Sequence, residues 1–364
     1  MRAAAGLLAL ALFAAACATP LAPEGVSDTA AHHYTLGMKL LEQNELARAQ
    51  QEFERARALA PDHAPAWEGL GLVALARKDY PAAETAFRTS KSKDRRYVPA
   101  YLGMARLHAA RAEHDAARRE AETAIEMAPR EARAHIVLGQ VRLAAFDFTR
   151  AESAFARALE LEPGSALARR EWDRSVRIRQ AAPGTMVGKR IALADPITRG
   201  ELAVLLATEL EIESRLRRKR PEIFDASFRA PGAAPATRAA GAPRDTAGHW
   251  AGNAVDLVLR LGLMESFPDG TFRPDDPVDR AGFAGVLQQV LAVATNDTAL
   301  KTRHVGQVSP FPDVRGDHFA FNAAIVASTR GLMEGERPSG AFRLTRAVSG
   351  AEAVLALRKL GEIL

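Results

Sequence analysis

Residues 64–97 read APAWEGLGLVALARKDYPAAETAFRTSKSKDRRY. Two apolar patterns of helical period are separated there by the polar turn Arg77-Lys78-Asp79. The stretch also recurs every 34 residues. Counted from Ala30, the eighth position holds Gly37, Gly71, Ala105 and Gly139. The 20th holds Ala49, Ala83, Ala117 and Ala151, and the 24th holds Phe53, Phe87, Ala121 and Phe155. The 32nd holds Pro61, Arg95, Pro129 and Pro163.

The spacing has a physical reading. Each unit carries two helices of about a dozen residues and a short turn. Small residues at positions eight and 20 let the helices approach, and the bulky residue at 24 fills the gap beside them. Proline at 32 ends the second helix, since it has no backbone donor to continue it. One pair cannot bury its own apolar face, whereas four stacked pairs form a solenoid.

With Trp67, Leu70, Gly71, Tyr80, Ala83, Phe87 and Ser90 at their offsets, residues 30–165 resemble four tetratricopeptide repeats. The resemblance implies an inner groove lined by positions two, five, nine and 12 of each first helix. These include Tyr34, Met38, Glu68, Leu72, Leu102, Arg106, Ile136 and Gln140. The mix is mostly apolar and lacks the lysine and asparagine set that grips a free C-terminal carboxylate in one branch of the family. An amphipathic helix or extended segment of an envelope protein suits it better. The other reading of any one of these residues is inter-repeat core.

Over its whole length the chain has the composition of a folded protein: 48% hydrophobic, 26% charged, net charge +5. Residues 1–16 differ, with Arg2 as the single charge before an uninterrupted small and apolar run from Ala3 to Ala16. Fourteen such residues are too few to span a bilayer and suit a signal peptide. Cys17, the only cysteine, comes next. Its surroundings resemble the lipobox of bacterial lipoproteins, although Ala14 stands where leucine is commoner. One reading makes Cys17 a lipidated N-terminus and the other a small residue in a peptide cut a few residues later. Ala18, rather than aspartate, then leans toward the outer membrane, facing the periplasm. Residues 17–29 read as a tether rich in proline and glycine. Residues 166–181 read as an arginine-rich helix that caps the solenoid, or as the missing first helix of the C-terminal module.

Residues 185–364 contain a second repeat, with an offset of 69 from Gly262 to Gly331 and of 70 from Phe272 to Phe342. Asp245 to Ala251 matches Asp313 to Ala320, Gly262-Leu263-Met264-Glu265 matches Gly331-Leu332-Met333-Glu334, and Phe272-Arg273 matches Phe342-Arg343. The pattern resembles the S-layer homology module, in which three units make a pseudo-threefold cluster. Here the first unit is partial, the second spans about 245–294 and the third about 311–364. The family signature Thr-Arg-Ala-Glu stands as Thr198-Arg199-Gly200-Glu201, Asp279-Arg280-Ala281-Gly282 and Ser349-Gly350-Ala351-Glu352.

The signature divides by physics. Thr198, Asp279 and Ser349 are helix caps, with Glu201 and Glu352 completing capping boxes. Arginine has no part in a cap and meets the unfavourable end of the helix dipole. Arg199 and Arg280 therefore have one of two roles. They contact an anionic cell-wall or envelope glycan, as the resemblance implies and guanidinium geometry allows. Alternatively, they pair with a carboxylate of a neighbouring unit, such as Asp245 or Asp313. Trp250 and Phe319 read as core anchors of the first helices. His249 and His318, which precede them, read as serving the fold. Residues 230–248 read as a connector.

No catalytic constellation is present. Gly184 to Lys189 falls one residue short of a phosphate loop, with Arg190 where serine or threonine is needed. One cysteine and nine scattered histidines offer no metal-ligand spacing. No cofactor, metal or enzyme activity is expected, and export argues against nucleic acid despite the positive charge. The expected architecture is mostly all-α: a solenoid followed by a mainly helical pseudo-threefold module. The expected role is an envelope scaffold joining a protein partner to a glycan. The alternative is an envelope assembly factor whose second module contacts protein without glycan.

Overall fold

The computed structural model describes residues 25, 28–224 and 243–364. The expected signal peptide, Cys17, most of the tether and most of the connector lie outside them. The described residues form helices, with β-bridges only as isolated pairs. They divide into two compact parts: the described residues up to Ala145 together with Ala154–Ser165, and Phe146–Ser153 together with the described residues from Ala166 on.

The repeats form four helix pairs. These are α1 (Ala30–Glu42) with α2 (Leu46–Leu59), α3 (Ala64–Ala76) with α4 (Tyr80–Lys93), α5 (Val98–Ala110) with α6 (His114–Met127), and α7 (Ala132–Ala144) with α8 (Phe148–Leu161). Each pair turns on one left-handed residue at the same register, Asn44, Lys78, Ala112 or Phe146, with φ of 59–61°. None is glycine, so packing of the flanking helices offsets a cost of about 1–2 kcal/mol at each turn. Proline at position 32 is not what stops the second helix. Arg95 replaces it in the second repeat, yet α4 ends at Lys93, in register with Leu59 and Met127. The chain leaves the helix one residue earlier, at extended Asp94, as it does at Ala60.

Phe53, Phe87 and Phe155 are fully buried. Phe53 lies between Gly37 and Gly69, Phe87 between Gly71 and Gly103, and Phe155 against Gly139. A Cβ on any of these glycines would fall 2.3–2.6 Å from the ring. Each phenylalanine thus requires glycine in its own repeat and, for the first two, in the next. The third repeat has Ala121 in place of the ring, and there Ala105 and Val137 stand where glycines stand elsewhere. All three are buried in one cluster. The two departures to alanine are one compensating change of volume.

The second part contains α9 (Ala166–Ala181), α10 (Met186–Ala192), α11 (Arg199–Thr208), α12 (Ile212–Lys219), α13 (Gly252–Arg260), α14 (Arg280–Thr295), α15 (Phe321–Thr329) and α16 (Gly350–Ile363). The helices pack in a cycle: α13 on α11, α15 on α14, and α9 on α16. Of the two readings of residues 166–181, cap of the solenoid or first helix of the module's first unit, the packing of α9 on α16 and the entry of Ile178 and Ala181 into the module core fit the second. The backbone closes the cycle. Val278 N–H donates to Ile197 O, Val348 N–H to Val278 O, and Ile197 N–H to Val348 O, each at 2.9 Å. This ring of three valine or isoleucine positions marks the pseudo-threefold axis. Just beyond it, the three signature segments begin their helices.

Candidate functional site

The caps fix where each signature side chain points. Thr198 Oγ1 accepts from Glu201 N–H at 3.2 Å, and Glu201 Oε2 accepts from Thr198 N–H at 2.8 Å, a complete capping box. Asp279 Oδ1 accepts from Gly282 N–H at 2.7 Å. Ser349 Oγ accepts from Glu352 N–H at 3.3 Å. The Glu352 carboxylate does not return to Ser349, because Arg280 and Arg346 take both of its oxygens.

The two arginines occupy equivalent frames. Arg199 Nε donates to Phe272 O and Nη2 to Glu265 O, both at 2.9 Å. Arg280 Nε donates to Phe342 O and Nη2 to Glu334 O, both at 2.6 Å. The Arg199 guanidinium lies over the Phe272 ring at 4.6 Å, and the Arg280 guanidinium lies over Phe342 at 4.6 Å. Burial pulls both guanidinium pKa values down.

The third nitrogen separates them. Arg280 Nη1 donates to Glu352, and the side chain is enclosed, with Arg280 only 2% exposed. The expected partners, Asp245 and Asp313, are engaged elsewhere: Asp245 accepts from Phe272 and Arg273 N–H, and Asp313 from Phe342 and Arg343 N–H. Arg199 makes no ion pair among the described residues. It opens into a cleft of about 200 Å³ whose walls include Met264, Phe267, Asp276, Asp279 and Gly282. Helix position N3, held by Glu352 beside Arg280, is Gly282 beside Arg199.

No arginine could occupy the third position. A Cβ on Gly350 would lie 1.7 Å from Ile191 O, and Gly350 N–H donates to Ala194 O at 2.8 Å. The backbone before α11 fills the space a side chain would need.

Trp250 and Phe319 are surface residues, 62% and 87% exposed, not core anchors. Each sits in the turn before its helix, where the neighbouring histidine faces its ring at 5.9 or 4.5 Å. His249 Nδ1 accepts from Ala251 N–H and His318 Nδ1 from Ala320 N–H, both at 3.1 Å. That turn drives the alanine into the core and leaves the aromatic outside.

In the solenoid, Glu68 is the centre of a buried polar cluster. It is 3% exposed and accepts from Tyr34 Oη at 3.1 Å, while the Tyr34 and Tyr97 hydroxyls lie 3.3 Å apart. Burial pushes the Glu68 carboxyl up to about 7, against the Tyr34 hydrogen bond and the charges of Arg133 and Arg106. Burial and the Glu68 charge push Tyr34 up to about 12. Leu102 and Ile136 are buried core and do not line an open groove, whereas Met38, Leu72, Arg106 and Gln140 are half-buried. Tyr97 and His63, the latter with its ring 6.3 Å from Tyr34, escaped the sequence reading. Both stand one residue before a first helix, a position outside the usual groove register.

The raised Glu68 pKa has a sign. The native state holds a proton that the unfolded chain has released, so stability falls as pH rises from about 4.5 to about 7. The loss is of order 3 kcal/mol. Glu68→Gln should flatten that part of a urea-unfolding series run against pH; an unchanged slope would show that Glu68 is not its source.

Among the described residues, no group of three or more His, Cys, Asp or Glu is placed to hold a metal ion. No described helix is long and apolar enough to cross a membrane.

Two family profiles match the chain. The tetratricopeptide repeat profile matches residues 34–95 and 102–171, and the S-layer homology domain profile matches 244–284. Cell surface glycoprotein 1 of Acetivibrio thermocellus is 30% identical over 165 residues, 45% of this chain and 6% of that protein. The cellulosome-anchoring protein of the same organism is 30% identical over 114 residues, 30% of this chain and 24% of that protein. The chain thus spans less than a quarter of the length of either relative. A thermophilic tetratricopeptide repeat protein of Thermus thermophilus superimposes with a TM-score of 0.38 at 20% identity, covering 52% of this chain and 97% of that one. Both families are non-catalytic scaffold or anchoring domains. The chain carries tetratricopeptide repeats and an S-layer homology domain.

Proposed function

We propose that this protein is a non-enzymatic scaffold of the cell envelope. Its solenoid groove binds a protein segment and its S-layer homology module binds an anionic envelope glycan. The observation that carries the second half is the Arg199 cleft. A guanidinium is fixed there by two backbone carbonyls and a ring, with no carboxylate paired to it among the described residues. Arg280, the other arginine of the signature, has its charge met inside the module and is not part of the proposed binding surface. The exposed rings of Trp250 and Phe319 offer faces on which pyranose rings stack.

For the solenoid, the Tyr34–Glu68–Tyr97 hydroxyl and carboxyl chain gives the groove a polar anchor among apolar neighbours. An amphipathic helix or extended segment carrying one polar group fits that surface. Export and an acyl anchor at Cys17, facing the periplasm from the outer membrane, belong to the same reading and rest on the sequence pattern. Mass spectrometry of the mature N-terminus checks the anchor, and an unmodified Cys17 rules it out.

Isolated cell-wall sacculi should pull down the full-length protein, and Arg199→Ala should weaken retention at least tenfold while unfolding normally. Equal retention of the variant would remove the glycan reading and leave an assembly factor that contacts protein alone.

A further inference from the structure

The buried Glu68 carboxyl meets charged and titratable side chains from every repeat of the solenoid. Tyr34 of α1, Arg106 of α5 and Arg133 of α7 act on it directly, and Tyr97, in the turn before α5, reaches it through the Tyr34 hydroxyl. His63, in the turn before α3, sets its ring against Tyr34, and its Nε2 is buried with no hydrogen-bond partner. The two guanidiniums stand apart from this bonded set. Neither the Arg106 nor the Arg133 side chain forms a hydrogen bond or ion pair among the described residues. Arg106 is nevertheless half-buried, and burial and the Arg133 charge pull its pKa down against the pull of Glu68. A desolvated cation without a partner is costly, and an anion that supplies the partner recovers the cost.

We propose that this cluster takes a side-chain carboxylate of the partner segment onto Arg106 and Arg133, and binds it together with a proton on Glu68. This rests on the groove reading above and names the group recognised. When Glu68 is ionised, it balances one of the two positive charges. It then accepts from Tyr34, and Tyr34 Oη accepts from Tyr97. When Glu68 is protonated, the chain of hydrogen bonds reverses. The carboxyl donates to Tyr34 Oη, Tyr34 donates to Tyr97 Oη, and the Tyr97 hydrogen is released as a donor for a ligand. The separations of 3.1 and 3.3 Å serve either direction. The protonated cluster thus offers two unbalanced guanidiniums and a hydroxyl donor, a set that suits an anion.

The coupling has a sign. An incoming carboxylate and an ionised Glu68 compete for the same two cations and repel each other, so the ligand raises the Glu68 pKa further. The proton comes from solvent. Below the free value of about 7 it is already in place, and affinity is level with pH. Above that value affinity falls as pH rises, by up to about tenfold per pH unit, until the pKa of the bound state is passed. The other groups stay out of this window. Tyr34 is pushed up to about 12, Tyr97 is also pushed up, and burial lowers His63. A glutamate on the ligand is ionised throughout.

The test uses the full-length protein and a library of C-terminally amidated amphipathic helical peptides. Their apolar face varies among leucine, isoleucine, methionine and phenylalanine, and one central position is glutamate, glutamine or lysine. Amidation removes the terminal carboxylate, so only a side chain supplies the anion. Peptides are selected on the immobilised protein, and the best is compared with its twins by fluorescence polarisation. The glutamate peptide should bind about tenfold more tightly than its glutamine twin at about pH 6.5, and lose about fivefold or more by about pH 8.5. Glu68→Gln should keep the binding and abolish that pH dependence, and Arg106→Gln should abolish the preference for glutamate. Both variants should fold, since glutamine copies the protonated carboxyl and Arg106 has no hydrogen-bond partner to strand; their urea midpoints check this. A glutamine or lysine twin that binds as well, or glutamate binding unchanged with pH, overturns the proposal. If peptides bind without that preference and Met38→Lys releases them, the groove reading stands without it. If no peptide binds, or Met38→Lys leaves all binding intact, both fall.

Discussion

Phe87→Ala should cost the solenoid about 3–5 kcal/mol, read as a shifted urea midpoint and as faster hydrogen exchange in α3 to α6. The ring is fully buried between two glycines, Gly71 and Gly103, and neither can extend a side chain into the space left. Stacked repeats gain stability from their neighbours, so the cavity weakens the second and third repeats together. The third repeat supplies its own control, since its native Ala121 is accompanied by Ala105 and Val137. Adding Gly71→Ala and Gly103→Val to Phe87→Ala should recover part of the loss, because it transplants that arrangement. A loss below about 1 kcal/mol in the single variant would mean that the glycine–phenylalanine clamp does not organise the stack.

Arg280→Ala should destabilise the module by about 3–5 kcal/mol, while Arg199→Ala costs clearly less. Removing Arg280 strands the buried Phe342 O, takes the donor from Glu334 O, and leaves Glu352, which is only 14% exposed as a side chain, with Arg346 as its one cation among the described residues. The pair itself need not be strongly stabilising, since two desolvated charges offset much of their own attraction. The double variant Arg280→Met with Glu352→Met should therefore lose less than Arg280→Ala alone. Hydrogen exchange in α14 and α16 localises the effect. Equal costs at Arg199 and Arg280 would refute the difference in burial that the binding proposal uses.

Local pattern was informative where the structure is settled locally. The caps Thr198, Asp279 and Ser349 were legible because a cap is decided within four residues. The groove column was legible only in part. Position five of each first helix gave Tyr34, Glu68, Leu102 and Ile136, of which the last two are sealed as core. The polar anchor needed Tyr97, a turn residue 63 positions from Tyr34 that periodicity cannot place beside it. Trp250 and Phe319 misled for a related reason. Large aromatics at a helix start suggest a core, but the histidine turn before each helix points the following alanine inward.

By itself the sequence determined the two repeat lengths, the helix pairs and the starts of the signature helices. Each depends on side chains interacting with backbone nearby, or on a period that stacking copies many times. Tertiary structure alone decided which arginine is satisfied. Arg280 meets Glu352 across 72 residues, and Arg199 meets a glycine at the matching place. It also assigned α9 to the module, since the cycle of helices closes only when α9 packs on α16. Charge pairing and ring closure depend on which surfaces the fold brings together, and no short stretch of chain encodes that by its own period.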